Sequence, residues 1–427
     1  MWTNWSGGQS CTPAVVVRPG SRAEVAAAVA GARTLRVAGA GHSFSAAAVT
    51  TGTLLELGRL DRVLDADPAS GLVRVEAGIT LHRLSRELLA RGLALPNLGD
   101  VDVQTLAGAL ATGTHGTGGR LGNLSTAVAG MELVLADGSE LTLTEGSLLR
   151  AARVGLGALG VVVAVTLRCV PAFRLHAVDE PRQLEEVLDS LDELVDANEH
   201  FELFSFPHSP LALTRTNNPT DAPAAAPRRA REWTQDVLVD NHVFGVVNRV
   251  ARRCPRAIPR LNRMAGATAS RRERVDHSFR VFASPRLVRF EEMEYALPRE
   301  RAADAVRACR EILARHAVSF PLELRFSSGD DALLSPAHER DSAYVAVHVF
   351  EGMPWEAPFR EVEDLMASWG GRPHWGKRSF LGASDLAARY PRWDEFQAAR
   401  AQLDPGGRFG SEWIDHTLGA ARVEAGA

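Results

Sequence analysis

Short apolar runs alternate with amphipathic stretches along the first 170 residues, which is the pattern of a mixed α+β region. Ser21 is followed by Glu24 at the spacing of a helix N-terminal capping box, and Leu81–Leu93 carries leucines on one helical face. The two segments are therefore predicted to be helices. The apolar runs between and around them predict β-strands at Ala14–Val17, Leu35–Val37, Thr53–Leu57, Val63–Ala66 and Leu72–Ala77.

A hairpin and a buried strand complete this region. Met131–Leu135 and Leu141–Leu143 flank a turn at Asp137 and Gly138, which is the signal of a β-hairpin. The nearly apolar run Val154–Leu167 is too short to cross a bilayer core of about 30 Å as a helix. We therefore expect a turn leading into a buried strand there and no membrane span.

A second region is expected from about residue 172 to residue 384. It begins with a predicted helix at Gln183–Asn198 and a strand at His200–Phe206. The stretch Asn217–Arg231 is rich in proline, alanine and arginine, so we predict a long mobile loop. The later pattern predicts strands at Val288–Leu297, Val318–Phe326 and Tyr344–Val349 and a helix at Glu300–Ala317.

Composition narrows the class of protein. The chain has 427 residues, a formal net charge of −4 and a pI near 6.4, which argues against a nucleic-acid-binding surface. Its length predicts two or three domains. The four cysteines are widely separated and form no CxxC pair, and no signal-peptide pattern opens the sequence. We therefore expect a cytoplasmic protein with reduced cysteines and no metal site.

Two glycine-rich runs that each contain a histidine are the strongest motifs. They are Val37–Phe44, which follows a predicted strand, and Ala111–Gly118. Glycines in such turns let backbone N–H groups approach an anion closely, so the pair predicts one large phosphate-bearing cofactor held from both ends. A nicotinamide-type fingerprint is the alternative, since Glu56 supplies a suitable acid, but Phe44 occupies its third glycine position.

Further segments carry a family resemblance over almost the whole chain. Together with the two runs, these are Trp2–Gly7, Val154–Val161, Met293–Tyr295, Leu322–Arg325, Arg372–Lys377 and Leu403–Phe409. The chain resembles the flavin-linked sugar-lactone and alditol oxidases of the vanillyl-alcohol-oxidase fold, in particular the L-gulono-1,4-lactone oxidase/dehydrogenase and D-arabinono-1,4-lactone oxidase group. The resemblance implies an α+β, two-domain flavoprotein. Its parts would be an FAD-binding domain of the PCMH type at 1–171, a substrate domain on an antiparallel sheet at 172–384, and a segment returning to the FAD domain at 385–427.

The resemblance also implies a covalent FAD, with the His42 imidazole bonded to the flavin 8α-methyl carbon. A neutral imidazole is a fair nucleophile near pH 7 because its ordinary pKa is about 6.5; the alternative is a histidine that hydrogen-bonds its own turn. His115 is expected to pack against or hydrogen-bond the flavin, with a role as a base as the alternative. The expected cofactor-binding residues are Val37, Ala38, Gly39, Ala40, Gly41, His42, Ser43, Gly99, Asp100, Thr105, Gly108, Thr112, Gly113, Thr114, His115 and Val162.

Four residues are expected to act on the substrate. Glu323 and Arg325 alternate along a predicted strand, so their side chains share a face, and buried ionisable residues in such a setting need partners. A mutual structural ion pair is the alternative interpretation. The resemblance instead places Glu323 at sugar hydroxyls and Arg325 and Lys377 at developing oxygen charge. His348 is expected to be a base, a positioning group or a core histidine.

Two departures from the alditol oxidases bear on the substrate. Phe350 and Asp100 stand where those enzymes carry small hydroxyl residues, which favours a lactone over a linear polyol. We therefore expect oxidation of an aldono-1,4-lactone to a 2-keto product that enolises to an ascorbate-type molecule. An alditol oxidase, a dehydrogenase using another electron acceptor, a flavin-free binding module and a nicotinamide enzyme are the alternatives. Gly99 stands where plant-type galactonolactone dehydrogenases carry an alanine associated with blocking oxygen, so oxygen is expected to be reduced to hydrogen peroxide.

Overall fold

The computed structural model describes residues 1–224 and 242–421. Strands and helices are mixed along these residues, and the strands form five sheets. The strands are β1 (Trp2–Thr3), β2 (Ser10–Cys11), β3 (Val15–Val17), β4 (Leu35–Ala38), β5 (Thr53–Glu56), β6 (Val63–Asp67), β7 (Leu72–Glu76), β8 (Leu93–Ala94), β9 (Val128–Val134), β10 (Glu140–Leu143), β11 (Val161–Arg168), β12 (Val170–Pro171), β13 (Arg174–Gln183), β14 (His200–Ser205), β15 (Leu211–Thr220), β16 (Arg272–His277), β17 (Phe290–Pro298), β18 (Leu322–Ser327), β19 (Ser342–Phe350) and β20 (Arg372–Pro373).

The described helices are short. The longest has 14 residues, and none in the described ranges is long and apolar enough to cross a membrane. They are α1 (Arg22–Gly31), α2 (Leu81–Leu89), α3 (Leu106–Ala111), α4 (Gly146–Arg153), α5 (Leu184–Asp189), α6 (Leu191–Ala197), α7 (Phe244–Arg253), α8 (Ile258–Thr268), α9 (Ser278–Phe282), α10 (Ala302–Arg315), α11 (Glu356–Ser368), α12 (Ala383–Ala387), α13 (Trp393–Leu403) and α14 (Glu412–Leu418).

The strands before residue 172 form four small sheets. A parallel sheet has the order β3-β5-β4, and an antiparallel sheet has the order β10-β9-β11-β7-β6, which contains the predicted hairpin. The predicted helix Leu81–Leu93 is shorter than expected, because α2 ends at Leu89 and Gly92 turns the chain with a φ of +72°. Leu93 then belongs to β8, which pairs with β12.

One antiparallel sheet of eight strands occupies residues 174–373, in the order β16-β13-β15-β14-β18-β19-β17-β20. Its apolar face packs against α5, α6, α10 and α11 in one continuous core. The register pairs Glu323 with Ala346 and Arg325 with Tyr344, and Glu292 with His348. Polar side chains from three neighbouring strands therefore lie on the other face of this sheet.

Three predicted elements of this region differ from the structure. The helix expected at Gln183–Asn198 is two helices, broken at Ser190, whose hydroxyl donates to the Glu186 carbonyl at 2.8 Å. β18 starts only at Leu322, after Pro321, which has no N–H to donate to a ladder. Asn217–Thr220 was predicted as loop but lies in β15, and residues 225–231 of that stretch lie outside the described ranges.

The C-terminal helices pack on the first region rather than on the large sheet. α13 contacts α4, and side chains from α12, α13 and α14 share a core with β7, β9 and β11. Arg36 of β4 fixes this return, because its guanidinium donates to the carbonyls of Leu156 and Phe409 at 2.7 Å each. The division into parts at 1–171, 172–384 and 385–427 stays a prediction.

Candidate active site

The first glycine run forms a turn with unpaired backbone donors. It follows β4, Gly41 has a φ of +72°, and the Gly41 carbonyl accepts from the Trp5 N–H at 2.7 Å. Among the described residues, no protein acceptor is found for the backbone N–H groups of residues 40–43. Successive free N–H groups of this kind make a concave site for an anion such as a phosphate.

The first glycine run packs directly on the threonine that caps α3. A Cβ added to Gly39 would collide with the Thr105 hydroxyl, and one added to Gly108 would lie 2.9 Å from the same oxygen. Thr105 cannot retreat freely, because its hydroxyl accepts the Gly108 N–H at the start of α3. Glycine is therefore required at both positions by this close approach.

Two neighbouring cavities adjoin the glycine runs. The first is enclosed by the first glycine run, α3, β9 and residues 155–162, and the second lies between the glycine runs and the polar face of the large sheet. They meet at His42, Ser43, Gln104 and Thr112, which line both. Of the predicted residues, the first cavity is lined by Val37, Ala38, Gly39, Ala40, Gly41, His42, Ser43, Thr105, Gly108, Thr112 and Val162. The second is lined by His42, Ser43, Gly99, Asp100, Thr112, Thr114, His115, Glu323, Arg325, His348 and Lys377.

Two residues that the sequence analysis singled out, Gly113 and Phe350, line neither cavity. Gly113 has a φ of +73°, and a Cβ there would face Val154 and Pro336, so its glycine serves the turn itself. Phe350 is also absent from both linings. Its ring lies behind the second cavity, stacked on Phe320 at 6.3 Å between centroids. It can therefore influence the cavity through Phe320 and through Phe290, its partner in the pairing of β17 with β19.

His42 stands at the junction of the two cavities. Its ring stacks on Trp5 with 5.3 Å between centroids. Burial, helped by the positive charge of Lys377, lowers the pKa of His42 to about 4. The imidazole is therefore neutral at physiological pH, which is the form that can act as a nucleophile.

Arg325 is surrounded by carboxylates. Its Nε lies 3.1 Å from Glu202 Oε2, its Nη1 lies 3.4 Å from Asp100 Oδ1, and its Nη2 contacts Glu323. The ion pair considered from the sequence is therefore present, yet both of its members line the cavity. Burial raises the pKa of Glu323 to about 7 despite the nearby Arg325. Glu323 can thus gain or lose a proton near neutral pH.

Asp100 is paired with two arginines across the second cavity. Besides Arg325, it contacts Arg286, which precedes β17. Although burial opposes ionisation, the two guanidinium groups hold the pKa of Asp100 well below its ordinary value. Asp100 is therefore a fixed negative charge, which a serine or threonine in its place would not supply.

Lys377 and His348 share a buried carboxylate. Lys377 Nζ lies 2.6 Å from Glu292 Oε2, and His348 Nε2 lies 3.4 Å from Glu292 Oε1. His348 Nδ1 faces the Pro321 carbonyl at 3.1 Å. Burial disfavours charge on both bases, but Glu292 outweighs it and raises the pKa of Lys377 and of His348.

His115, Glu294 and His374 form a second buried cluster. His115 donates from Nδ1 to the Gly116 carbonyl at 2.8 Å, its Nε2 lies 3.2 Å from Glu294, and its ring stacks on Tyr344. The ligand atoms of the three residues lie within 4.8 Å of one another. However, burial lowers the pKa of His374 to about 3, and its Nδ1 accepts the Gly376 N–H at 3.0 Å. His374 Nε2 therefore carries its proton, which favours a hydrogen-bonded cluster over a metal site.

Sequence reasoning missed Glu292, Glu294, Glu202 and Arg286. A signal existed for the first two, because β17 carries three carboxylates within a buried strand, and those of Glu292 and Glu294 lie at alternate positions. A second signal concerns Lys377, which is the single lysine among the 48 basic residues of the chain. No local pattern distinguishes Glu202 or Arg286, which reach the site only through the order of the strands and the loop before β17.

Comparisons with known proteins agree with this geometry. The sequence matches the family model for an FAD binding domain over residues 13–144 and that for D-arabinono-1,4-lactone oxidase over residues 165–417. It is 44% identical to L-gulono-1,4-lactone dehydrogenase of Mycobacterium tuberculosis, covering 98% of this chain and 99% of that one. It is 34% identical to L-gulonolactone oxidase of Mus musculus, covering 96% and 97%. It is also 34% identical to alditol oxidase of a Streptomyces species, covering 97% and 98%.

The fold has counterparts among solved structures. Cholesterol oxidase from Brevibacterium sterolicum superimposes with a TM-score of 0.81 at 18% identity, covering 98% of this chain and 96% of that one. The fold and the glycine-lined cavity therefore define an FAD-dependent oxidoreductase of the vanillyl-alcohol-oxidase fold, as the sequence predicted. Within that class, the chain belongs to the D-arabinono-1,4-lactone oxidase family and acts on CH–OH groups.

Proposed function

We propose that the protein oxidises an aldono-1,4-lactone at the hydroxyl beside the lactone carbonyl. The product is a 2-keto lactone that enolises to an ascorbate-type molecule. The observation that carries the proposal is the meeting of the two cavities at His42. A cavity suited to a cofactor there adjoins one that contains Arg325, Lys377, His348 and Glu323. Relatives named for L-gulono-1,4-lactone support the lactone over other alcohols.

The residues of the first cavity fit FAD. The free N–H groups of residues 40–43 suit its pyrophosphate, and glycines leave room for close approach. The buried hydroxyls of Ser45 and Thr114 border the cavities without a protein hydrogen-bond partner. We further propose that His42 holds FAD covalently, since its imidazole is neutral and lies where the cavities meet. When bound, FAD would supply the acceptor for a hydride.

The charged groups of the second cavity have different roles in the proposed reaction. Arg325 and Lys377 are cations that stabilise negative charge developing on the substrate oxygen, which is worth most in a site that excludes water. Glu323, with a pKa near 7, accepts hydrogen bonds from sugar hydroxyls and can take up a proton. Asp100, held by Arg286 and Arg325, adds a fixed acceptor at the far side of the cavity.

Acid precipitation and absorbance test the cofactor proposal. Acid-precipitated protein should stay yellow, and His42→Ala should release free flavin into the supernatant. A yellow wild-type supernatant would show that the bond to His42 is absent, while FAD binding itself would remain. The substrate is tested with a panel of lactones and polyols and an artificial dye acceptor. Faster reduction by linear polyols than by any lactone would favour the alditol oxidase alternative, which the Streptomyces relative supports.

We propose oxygen as the electron acceptor, with hydrogen peroxide as the second product. Relatives of this chain are named both oxidases and dehydrogenases, so peroxide formation has to be measured directly. The proposed location is the cytoplasm, supported by four free cysteines, of which Cys254 is exposed. Fractionation of cells that produce the protein tests the location.

A further inference from the structure

Glu292, to which the proposed function gives no role, is the centre of a three-residue arrangement with Lys377 and His348. Its side chain is 8% exposed, and each oxygen faces a different base: Oε2 faces Lys377 at 2.6 Å and Oε1 faces His348 at 3.4 Å. Its own backbone carbonyl accepts the Arg378 N–H at 2.9 Å. One residue of β17 thus fixes the ammonium of Lys377 and also the turn that carries it.

The surroundings of His348 define its protons. Nδ1 faces the Pro321 carbonyl, and Nε2 faces Glu292, with Glu323 Oε2 at 4.0 Å. Both ring nitrogens therefore face acceptors, and an imidazole that donates from both nitrogens is a cation. Such a ring has no lone pair with which to take a proton from a substrate.

The composition of the chain makes Lys377 exceptional. All other basic residues apart from histidines are arginines, so the chain departs from arginine at this single position. The ammonium lies between the Glu292 carboxylate and the face of the Phe44 ring, 5.2 Å from its centroid. A compact point charge fits between a carboxylate and a ring, whereas a planar guanidinium with a longer reach does not occupy the same point.

We propose that Glu292 is a positioning residue that joins Lys377 and His348 into one cationic pair, so that His348 faces the substrate as a fixed cation and not as a base. The inference deepens the proposed function and rests on it for the identity of the substrate. The hydroxyl proton of the substrate then goes to a carboxylate oxygen of Glu323, and FAD, when bound, would accept the hydride. The other charged groups that face the pair are Glu294, beside Lys377, and the network of Arg325 and Asp100, beside Glu323.

The single lysine allows a direct test on the holoenzyme. Protein grown with lysine labelled with ¹³C at Cε gives one side-chain resonance, whose pH midpoint is the pKa of Lys377. We expect a midpoint above the ordinary lysine value of about 10.4 in the wild type. In Glu292→Gln the midpoint should fall by at least about one pH unit. Burial lowers the pKa of a lysine, and in this variant one of the carboxylates that oppose this effect has been removed. An unchanged midpoint in folded Glu292→Gln would overturn the proposal.

Glu291→Gln is the matched control. Glu291 is the neighbouring residue of β17, is similarly buried and pairs with Arg378 at 2.7 Å, but it does not line the cavity. Its substitution should leave the lysine midpoint unchanged. If Glu292→Gln does not fold, Glu292→Asp provides the same test, because the shorter side chain keeps the charge but cannot reach both partners. A smaller downward shift is then expected, and no shift contradicts the proposal.

Anaerobic reduction of the bound flavin supplies a second measurement. Glu292→Gln should reduce at least ~10-fold more slowly than the wild type at pH 8. Its rate should lack the full rise from pH 6 to pH 8 that Glu323 gives the wild type, because His348 loses its proton over the same range once Glu292 no longer holds it. A wild-type pH profile in Glu292→Gln would overturn the proposal. If no lactone or polyol reduces the wild type, the proposed function fails, whereas the lysine resonance still decides the role of Glu292.

Discussion

The two cavities are built by different means. The first is lined by backbone, glycines and apolar or small side chains, and its one charged residue among those described, Arg36, donates to protein carbonyls rather than facing a ligand. The second is lined by ionisable side chains from strands β17, β18 and β19 and from the loops beside them. The first therefore suits a ligand recognised through its shape and its phosphates. The second suits a reaction in which charge moves.

The largest expected effect lies in the second cavity. Arg325→Ala and Lys377→Ala should each slow flavin reduction by substrate at least ~100-fold, the scale of losing one preorganised electrostatic group. Absorbance of bound flavin should change little, because neither side chain lines the first cavity. Rapid mixing under anaerobic conditions measures the rate. Near-normal reduction in both variants would place the chemistry elsewhere.

The next effect tests the first cavity. Gly39→Ala should lose most of its bound flavin, because the added methyl group collides with the Thr105 hydroxyl. Gly58→Ala is the matched control, since a Cβ there meets nothing within 4 Å. The double variant Gly39→Ala/Thr105→Ala should recover flavin, although losing the helix cap costs about 1 kcal/mol of stability. Full flavin occupancy in Gly39→Ala would show that the contact with Thr105 is not limiting.

A pH dependence of intermediate size is expected from Glu323. Because the pKa of Glu323 is about 7, the fraction of Glu323 in the carboxylate form, which accepts protons, increases as the pH rises through 7. The rate of flavin reduction should therefore rise about tenfold from pH 6 to pH 8. Glu323→Gln should abolish this rise and weaken lactone binding, because an amide replaces a strong acceptor with a mixed donor and acceptor. A variant that keeps the rise would assign it to another group.

The smallest expected effect concerns oxygen. A Cβ at Gly99 would lie 3.2 Å from the His115 carbonyl oxygen and 3.5 Å from Thr114 Cγ2, so Gly99→Ala narrows the edge of the second cavity without closing it. Substrate-reduced wild type mixed with aerated buffer should reoxidise rapidly, and Gly99→Ala should do so several-fold more slowly. Reoxidation over minutes in the wild type, with no further slowing in the variant, would identify a dehydrogenase.

The same comparison explains what the sequence could predict. Residues 37–43 and Thr112 of the first cavity belong to the two glycine runs, so they could be identified from local motifs. Most strands were also predicted, because short apolar runs are a local signal. Gly113 was the exception among the predicted cofactor-binding residues, since a glycine needed for a turn and a glycine needed for a ligand look alike in sequence.

The second cavity was predicted only in part, because strand order decides its composition. Glu323 and Arg325 share one strand and were found, whereas Glu202 joins them because β14 pairs with β18 across a gap of more than 100 residues. Glu292 reaches His348 in the same way, through the pairing of β17 with β19. Phe350 was singled out by the resemblance to the alditol oxidases; it lines neither cavity, and its ring stacks on Phe320, which lines the second.

The contact between Arg36 and the Phe409 carbonyl has a consequence for biosynthesis. The two residues are 373 positions apart, and the bond holds Arg36, which lines the first cavity, against the segment between α13 and α14. Arg36 lacks this partner until nearly the whole chain has been synthesised. We therefore expect FAD to bind after translation. A nascent chain halted before residue 409 contains every motif of the first cavity but lacks the contact that holds Arg36.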